Sequence, residues 1–277
     1  MTADLRPPLP TEAAGLLPLD AAFRQTLDAD LEGLGIVLTR GQRDAIEAHA
    51  QLLLAWNESI NLTALRGPEQ VARHHVIDSL TAVALLRGFH PAGRLDGGWT
   101  LLDLGSGGGY PGLPLAMVAG ARALALVDSV GKKARFLRVA AAAATAGLAA
   151  ADERAPRVQV LAERGEALAR LHEHRERWDV VTARAVGTLA ELVELALPLL
   201  RVGGRLIAWK RDAGLIDERG PARVMLRALQ SSPRALEVHR VPLTALADHR
   251  LVVITKSAQT PARFPRSVVE RRRAAPT

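Results

Sequence analysis

The stretch from Leu101 to Gly112 constrains this chain most, because an apolar run there ends in an acid and then breaks into glycines. The run from Trp99 to Leu104 has the length and composition of a buried parallel strand. The glycines allow positive φ angles and a close approach of the backbone to a ligand. The helix expected next presents unpaired N–H groups, which suit a carboxylate or a phosphate. A nucleotide-type binding loop and a tight structural turn both fit this pattern.

Asp103 favours the binding loop, because a purely structural turn has no use for an acid at the mouth of an apolar strand. A second acid, Asp128, ends the next predicted strand, where it could accept both hydroxyls of a ribose. The alternatives for Asp128 are a surface carboxylate or the N-cap of the following helix. These two acids and the loop predict an adenosine-containing ligand.

Two cofactor classes compete for this loop. Gly107-x-Gly109-x-x-Gly112 formally matches a dinucleotide fingerprint, and Asp128 lies at a suitable distance beyond it. Dinucleotide folds normally lack an acid at position 103, and they are not preceded by about ninety residues of helix. The pattern Asp-x-Gly-x-Gly-x-Gly instead resembles the S-adenosylmethionine (SAM) loop, and SAM is favoured over NAD.

The rest of the chain alternates between predicted strands and helices, which indicates a parallel sheet with right-handed crossovers. Helices are predicted first over 21–32, 40–58, 69–77 and 78–86. Strands are predicted over 99–104, 123–128, 157–161, 179–183, 204–209, 235–241 and 250–256. The last two are joined by little helix and are expected to pair antiparallel. The fold class is therefore α/β, a seven-stranded mostly parallel sheet with a C-terminal antiparallel hairpin, preceded by a helical segment.

Composition sets the boundaries of this organisation. The chain has 277 residues, of which 48% are hydrophobic, enough for a sizeable core. We expect a disordered proline-containing tail over 1–20, a helical segment packed on the core over 21–90, a SAM-binding domain over 99–256, and a basic flexible tail over 257–277. No apolar stretch suits a signal peptide or a membrane span, and no cysteine is available for disulfides or thiolate metal sites. A net charge of +7 raises the expectation of a polyanionic partner.

Several motifs in one order are similar to the RsmG (GidB) family of bacterial methyltransferases, which act on N7 of a guanine in 16S rRNA. They are Trp56-Asn57 with Asn61-Leu62-Thr63, His75-x-x-Asp78-Ser79, Asp103 to Pro114, Asp128-Ser129-x-Gly131-Lys132-Lys133-x-Arg135-Phe136-Leu137, Ala183-Arg184-Ala185, Trp209-Lys210, and Thr260 to Arg266. The resemblance covers roughly residues 42–266. Two positions depart from the family pattern: Gly108 stands where proline is common, and Tyr110 replaces an aliphatic residue or phenylalanine.

The resemblance implies a Rossmann-like SAM-dependent fold and a set of site residues. The cofactor-binding residues expected from the loop and the family together are Asp103, Gly105, Gly107, Gly109, Tyr110, Asp128, Gly165, Glu166 and Arg184. Glu166 would lie at the adenine edge. Arg184, at the end of a strand over the transfer site, is also the expected catalytic residue, with a salt bridge at the sheet rim as its alternative. The expected RNA-binding residues are His75, Lys132, Lys133, Arg135 and Lys210, although any one of these cations could simply be solvated.

The expected mechanism is direct in-line methyl transfer without a general base. Guanine N7 has a lone pair and no proton, and the cationic product needs no deprotonation, so His75 with Asp78 is not assigned a proton-transfer role. Expected partners are 16S rRNA or the small ribosomal subunit, with no membrane, no metal, a monomeric state and a cytoplasmic location. The alternatives are a methyltransferase of another RNA or of a small molecule, a non-enzymatic nucleotide-binding or RNA-binding module, and an NAD-dependent oxidoreductase. The 3% aromatic content disfavours a closed small-molecule pocket.

Overall fold

The computed structural model describes residues 8–89 and 98–274. The strands are β1 (Thr100–Leu104), β2 (Ala123–Val127), β3 (Arg157–Leu161), β4 (Trp178–Arg184), β5 (Leu200–Arg211), β6 (Leu236–Arg240) and β7 (His249–Thr255). The helices are α1 (Ala21–Leu34), α2 (Arg40–Asn57), α3 (Pro68–Val71), α4 (Asp78–Leu80), α5 (Val83–Leu86), α6 (Gly112–Ala119), α7 (Gly131–Ala150), α8 (Gly165–Leu168), α9 (Leu189–Ala196), α10 (Leu215–Ala228) and α11 (Val268–Ala274). A π-helical turn, Ala72–Ile77, joins α3 to α4.

The described strands form one sheet in the order β3-β2-β1-β4-β5-β7-β6. The first five strands of the chain pair parallel, and β7 pairs antiparallel with both β5 and β6. The predicted fold class is confirmed, including the antiparallel C-terminal hairpin. Strand order reverses between β1 and β4, so the carboxyl ends of these two strands open the crevice in which ligands bind on such sheets.

The N-terminal helices cover one face of the sheet. Thr39 caps α2, accepting a hydrogen bond from the backbone of Gln42, and Gln42 caps Thr39 in return. A glycine such as Gly147 is typical of a helix end, but α7 continues past it to Ala150. Gly147 instead lets two helices approach, since a Cβ there would lie 2.8 Å from the backbone nitrogen of Ala45 in α2. The expected packing of the N-terminal segment on the core is therefore made largely through α2 and α7.

The opposite face of the sheet is covered by α9 and α10, which pack against apolar residues of β1, β4, β5 and β7. Successive side chains of β1 point to opposite faces of the sheet. Leu101 belongs to the core on one face and Leu102 to the core on the other. Both side chains are fully buried. No helix in the described ranges 8–89 and 98–274 has the length and apolar character needed to cross a membrane.

The segment after Ser257, expected to be a flexible tail, instead packs on the domain as far as it is described. Arg175 donates hydrogen bonds to the carbonyl oxygens of Thr260 and Phe264 at 2.9 and 2.8 Å. Arg266 pairs at 2.6 Å with Glu194, whose side chain is 1% exposed. A carboxylate buried that deeply needs a cation and hydrogen-bond donors, and this segment supplies them. No sequence pattern indicates this packing, because Glu194 falls in a regular helical pattern.

The start of the chain also departs from the expected disordered tail. Residues 1–7 lie outside the described part, but residues 8–20 contact α2 without forming a helix or strand. The indole Nε1 of Trp56 donates to the carbonyl oxygen of Pro10 at 2.7 Å, and the amide of Gln51 donates to that of Leu17 at 3.0 Å. Leu19 is buried in the core beneath them. These contacts fix the chain just before α1 begins.

Candidate active site

The loop between β1 and α6 has a backbone that only glycine tolerates at several positions. Gly105, Gly107 and Gly109 have φ values of +69°, +53° and +85°. A Cβ on Gly105 would also lie 2.6 Å from Cγ2 of Val186. The close approach and the positive φ values explain why glycines recur between residues 105 and 109.

Asp103 supports this loop from beneath and does not line the cavity described below. Its side chain is fully buried, one oxygen accepting from the Thr182 hydroxyl at 2.6 Å and the other from the Gly112 backbone N–H at 3.3 Å. Burial raises the pKa of Asp103 to about 6. In the structure Asp103 braces the loop and the start of α6, and its expected contact with the cofactor stays a prediction.

Asp128 holds the loop from the end of β2. Its carboxylate accepts from the backbone N–H of Gly107 at 3.0 Å and from that of Val130 at 2.9 Å. Lys133 lies 4.0 Å away, and the Asp128 side chain is 8% exposed. Asp128 is thus placed at the edge of the glycine loop, as its position in the sequence predicted.

A cavity of about 790 Å³ opens over the carboxyl ends of β1, β4 and β5. This volume falls in the range of small-molecule sites. Its wall is formed by loop backbone, by the N-terminal helical segment and by charged side chains from the strand ends. The lining residues are Leu62, Leu65, His74, His75, Asp78, Gly105, Ser106, Gly107, Gly108, Tyr110, Lys133, Arg184, Ala185, Trp209, Lys210, Arg211, Ala213, Glu218 and His249.

Arg184 projects from the end of β4 into this cavity and is held on several sides. It donates to Asp78 at 2.9 Å, to the carbonyl oxygen of His74 at 2.8 Å and to Nδ1 of His75 at 2.9 Å. Its guanidinium carbon lies 5.8 Å from the centre of the Tyr110 ring. The side chain is 16% exposed, so a fixed positive charge faces the cavity.

The side chain of Asp78 connects Arg184 to His249 of β7. Its second oxygen lies 2.7 Å from Nδ1 of His249, and its carbonyl oxygen accepts from the indole of Trp209 at 2.8 Å. Burial disfavours the charged carboxylate, yet hydrogen bonds from His249 and Arg184 hold the pKa of Asp78 below its ordinary value. Asp78 therefore stays ionised and orients both neighbours.

A stack of three rings forms the wall beside Arg184. The Tyr110 ring lies between His49 and His75, with centroid distances of 4.3 and 4.7 Å. His75 Nε2 lies 2.7 Å from the Thr63 hydroxyl, and its Nδ1 accepts from Arg184. Burial, with the charge of Arg184, lowers the pKa of His75 to about 3. His75, expected to bind RNA, is thus neutral and uses both ring nitrogens within the protein.

The other cations expected to bind RNA lie partly in the cavity and partly outside it. Lys133 and Lys210 line the cavity, whereas Lys132 and Arg135 are exposed on α7 outside it. The Arg135 guanidinium carbon lies 6.0 Å from the centre of a Trp56 ring. Lys210 lies 2.7 Å from Glu218 and donates to the carbonyl oxygen of Gly187 at 2.9 Å.

Gly165 and Glu166 begin α8 after β3 and do not line the cavity. Glu166 instead pairs with Arg271 of α11, a residue that the sequence placed in the flexible tail. Burial acts against the charged form, but bonds from its own backbone N–H and from Arg271 leave the pKa of Glu166 below its ordinary value. Its expected contact with adenine stays a prediction.

Sequence reasoning missed three polar groups of this site: His49, His249 and Glu218. His49 lies on the apolar face of α2, where it is 2% exposed, and its Nε2 is 2.7 Å from the carbonyl oxygen of Gly108. A histidine amid the periodic apolar positions of that helix was the available signal. No sequence signal marks His249 or Glu218, because their proximity to the loop depends on the tertiary fold.

Replacing His49 with glutamine should make the protein less sensitive to acid. Burial lowers the pKa of His49 to about 4, against about 6.5 in an unfolded chain. Between these values the unfolded state binds more protons, so the stability from neutral His49 is complete above about pH 6.5 and is lost as pH falls towards 4. We expect the drop in unfolding free energy from pH 7 to pH 5 to be smaller in the variant by on the order of 2 kcal/mol.

Urea unfolding of both proteins at the two pH values measures this difference. The raised pKa of Asp103 acts in the opposite direction in both proteins and cancels in the comparison. The exposed His172 provides the control, since His172→Gln should retain the wild-type pH dependence. If the unfolding free energy of the His49 variant and of the wild type depends equally on pH, then the pKa of His49 is not lowered by burial.

Comparison with known proteins identifies the family. Residues 42–228 match the family model described as rRNA small subunit methyltransferase G. A ribosomal RNA small subunit methyltransferase G of Roseiflexus sp. (strain RS-1) is 40% identical over 234 residues, which cover 84% of this chain and 92% of that protein. The protein of the same description from Deinococcus radiodurans is 39% identical over 249 residues, 90% of each chain. The matched region covers more than half of the chain, and the relatives are about 40% identical over most of it, so this chain belongs to the rRNA small subunit methyltransferase G family.

Proposed function

We propose that this protein transfers a methyl group from SAM to N7 of a guanine in 16S rRNA, acting as a monomer. The observation that carries the proposal is the cavity between the glycine loop and Arg184, in a chain of this family. The loop supplies backbone donors and the strand ends supply fixed charges, which is the construction expected of a site that binds a charged nucleoside and a base.

The residues around the loop fit SAM. A Cβ on Gly107 would have only the Gly105 carbonyl oxygen within 4 Å, at 3.8 Å, so the backbone there faces open space. In the proposal Gly105, Gly107 and Gly109 shape the cradle, Asp128 accepts the ribose hydroxyls, and Gly165 with Glu166 serves the adenine end. Tyr110 forms the wall of the cradle, and its buried hydroxyl has no hydrogen-bond partner among the described residues. SAM supplies the electrophilic methyl group when it is bound.

The chain's own contribution to catalysis is positioning. Guanine N7 offers a lone pair and carries no proton, so no residue has to act as a base. The low pKa and the occupied nitrogens of His75 agree with this, because they leave the ring neutral and committed to Arg184. Aligning two reactants can contribute several kcal/mol to lowering a barrier. Arg184 is proposed to fix the methionine carboxylate or the RNA at the transfer point.

The cations on the same side of the molecule are proposed to bind RNA phosphates. Lys133 lies at the cavity, and Lys132 and Arg135 extend the positive surface along α7, whereas Lys210 is proposed to meet the RNA inside the cavity. Cations neutralise phosphates and release counterions, so binding should weaken as salt rises. His75 keeps a part in this proposal through Arg184, which it holds towards the substrate.

The test is incubation with methyl-labelled SAM and either naked 16S rRNA or small ribosomal subunits, followed by nucleoside analysis. Label in N7-methylguanosine is expected, and mapping the modified position identifies the target nucleotide. Absence of labelled N7-methylguanosine from every form of the RNA would overturn the proposal. Light scattering of the free protein tests the monomeric state.

Replacing Asp128 with alanine should weaken SAM binding by about tenfold or more while the protein stays folded. The substitution removes the proposed ribose acceptor and also the support of the Gly107 N–H. Isothermal titration with SAM and thermal unfolding measure the two effects. Asp44, which is 53% exposed on α2 and lies outside the cavity, provides the control, because Asp44→Asn should bind SAM like the wild type. Unchanged SAM affinity in the Asp128 variant would show that the ribose is held elsewhere.

A further inference from the structure

An ion pair between a lysine and a glutamate lies in the wall of the cavity. Lys210, near the end of β5, and Glu218, in the first turn of α10, lie 2.7 Å apart and both line the cavity. Their side chains are 12% and 29% exposed, so neither is fully buried nor free in solvent. The pair therefore presents a cation beside a carboxylate to whatever occupies the cavity.

The pair is held in place from outside the cavity. One Glu218 oxygen, Oε2, accepts a hydrogen bond from the Leu189 backbone N–H at 2.6 Å and forms the ion pair with Lys210. Lys210 also donates to the carbonyl oxygen of Gly187 at 2.9 Å. Backbone groups of Gly187 and Leu189, which follow β4, thus hold the side chains of Lys210 and Glu218 in place. Because these side chains are already ordered, less conformational entropy is lost when a ligand binds.

Glu218 differs from the other carboxylate among the described lining residues. Asp78 is 2% exposed, and its oxygens bond to Arg184 and His249. Glu218 is more accessible, and its contacts with Lys210 and with the Leu189 N–H both fall on Oε2. No side chain or backbone group of the described residues makes a hydrogen bond to Oε1. A carboxylate oxygen in a cavity is therefore available to a ligand that brings N–H donors.

Guanine has the matching pattern on its Watson–Crick edge. Its O6 is an acceptor, next to the N1–H and N2–H₂ donors, so O6 suits an ammonium group and the two donors suit a carboxylate. Adenine presents the reverse order, an amino donor beside a bare ring nitrogen. It would set a donor against Lys210 and an acceptor against Glu218. Reading this edge leaves N7, on the other side of O6, free to react.

We infer that Glu218, with Lys210 beside it, selects guanine as the base to be methylated. This inference rests on the proposed function and adds to it the residue that recognises the base. Glu218 accepts from N1–H and N2–H₂, and Lys210 donates to O6. A site built to bond such donors discriminates strongly against a base that lacks one, because its polar group is then left unpaired.

The experiment compares target RNA carrying guanine or inosine at the methylated position, since inosine keeps N7, O6 and N1–H but lacks the N2 amine. For the wild type we expect kcat/KM to be about 10- to 100-fold higher on guanine. In Glu218→Gln the guanine rate should fall about tenfold or more, and the preference over inosine should shrink to within about threefold. The glutamine retains an acceptor for the Leu189 N–H, and SAM affinity should not change.

Asp217→Asn is the matched control, because it removes a carboxylate from the same helical turn at an exposed position outside the cavity. It should keep the wild-type preference for guanine. If Glu218→Gln turns over neither RNA, the same preference is measured from RNA dissociation constants in the presence of S-adenosylhomocysteine. Wild-type preference in the Glu218 variant, or no preference in the wild type, would overturn the inference. Failure of the proposed function is distinct, since the wild type would then form no N7-methylguanosine at all.

Discussion

Replacing Arg184 with alanine should lower the rate of methyl transfer by about 100- to 1,000-fold, the range typical for loss of a preorganised charge at a reaction centre. The side chain faces the cavity while Asp78, His75 and the His74 carbonyl oxygen hold it from behind. The substitution removes a cation that the protein already holds in its orientation. No other described cation in the cavity is bonded to Asp78, His75 and the His74 carbonyl oxygen together. Single-turnover methylation of 16S rRNA at saturating SAM isolates the effect.

The same substitution should reduce the free energy of unfolding, by about 2–4 kcal/mol, because Asp78 is 2% exposed and would lose one of its two partners. Activity is therefore compared at a temperature where thermal unfolding shows the variant to be folded. Arg184→Lys separates the two effects. It keeps a charge beside Asp78 but cannot donate to three groups in the same fixed arrangement, so most of the stability should return while transfer stays at least about tenfold slow.

Arg205 offers a matched control. It is also a strand arginine that reaches the N-terminal helical segment, donating to the Leu85 carbonyl oxygen at 3.0 Å with its guanidinium over the Phe89 ring. It does not line the cavity. Arg205→Ala should lose stability without a specific loss of transfer rate. Wild-type transfer by folded Arg184→Ala would remove Arg184 from the catalytic apparatus.

The fold was largely predictable because its signals are local. Buried parallel strands are short apolar runs between turn residues, and the β3 bounds matched the prediction while the others shifted by a few residues. Errors arose where tertiary contacts override a local signal. Gly147 reads as a helix stop but serves a close helix–helix approach, and the chain after Ser257 reads as a tail but satisfies the buried Glu194.

The site was predictable in its position more than in its contacts. A glycine loop, Asp128 and Arg184 at strand ends must meet at one edge of a parallel sheet, and they do. What each carboxylate bonds to depends on groups remote in sequence. Asp103 faces Thr182 and Gly112, and Glu166 faces Arg271, so neither bond follows from a motif. Membership of the family carries the chemistry of the reaction, whereas these contacts are a property of this chain.

Replacing Gly112 with alanine should destabilise the protein by about 1–3 kcal/mol and weaken SAM binding by more than tenfold. An added Cβ would lie 2.8 Å from Cβ and from Oδ2 of Asp103, and 2.8 Å from Cδ2 of Leu126. Since Asp103 and Leu126 are fully buried in β1 and β2, neither can move aside cheaply. The start of α6 would have to shift instead, and with it the backbone of the glycine loop.

Gly131→Ala is the control that isolates this close approach from the general effect of a glycine-to-alanine change. Gly131 is also the first residue of a helix, but an added Cβ there meets no atom within 4 Å. Alanine at that position should be neutral or slightly stabilising, because it restricts the unfolded chain without straining the folded one. Thermal unfolding and SAM titration of the two variants are compared directly. Equal behaviour of Gly112→Ala and Gly131→Ala would mean that the contact between Asp103 and α6 does not set the loop, and that the loop is instead held from Asp128 and His49.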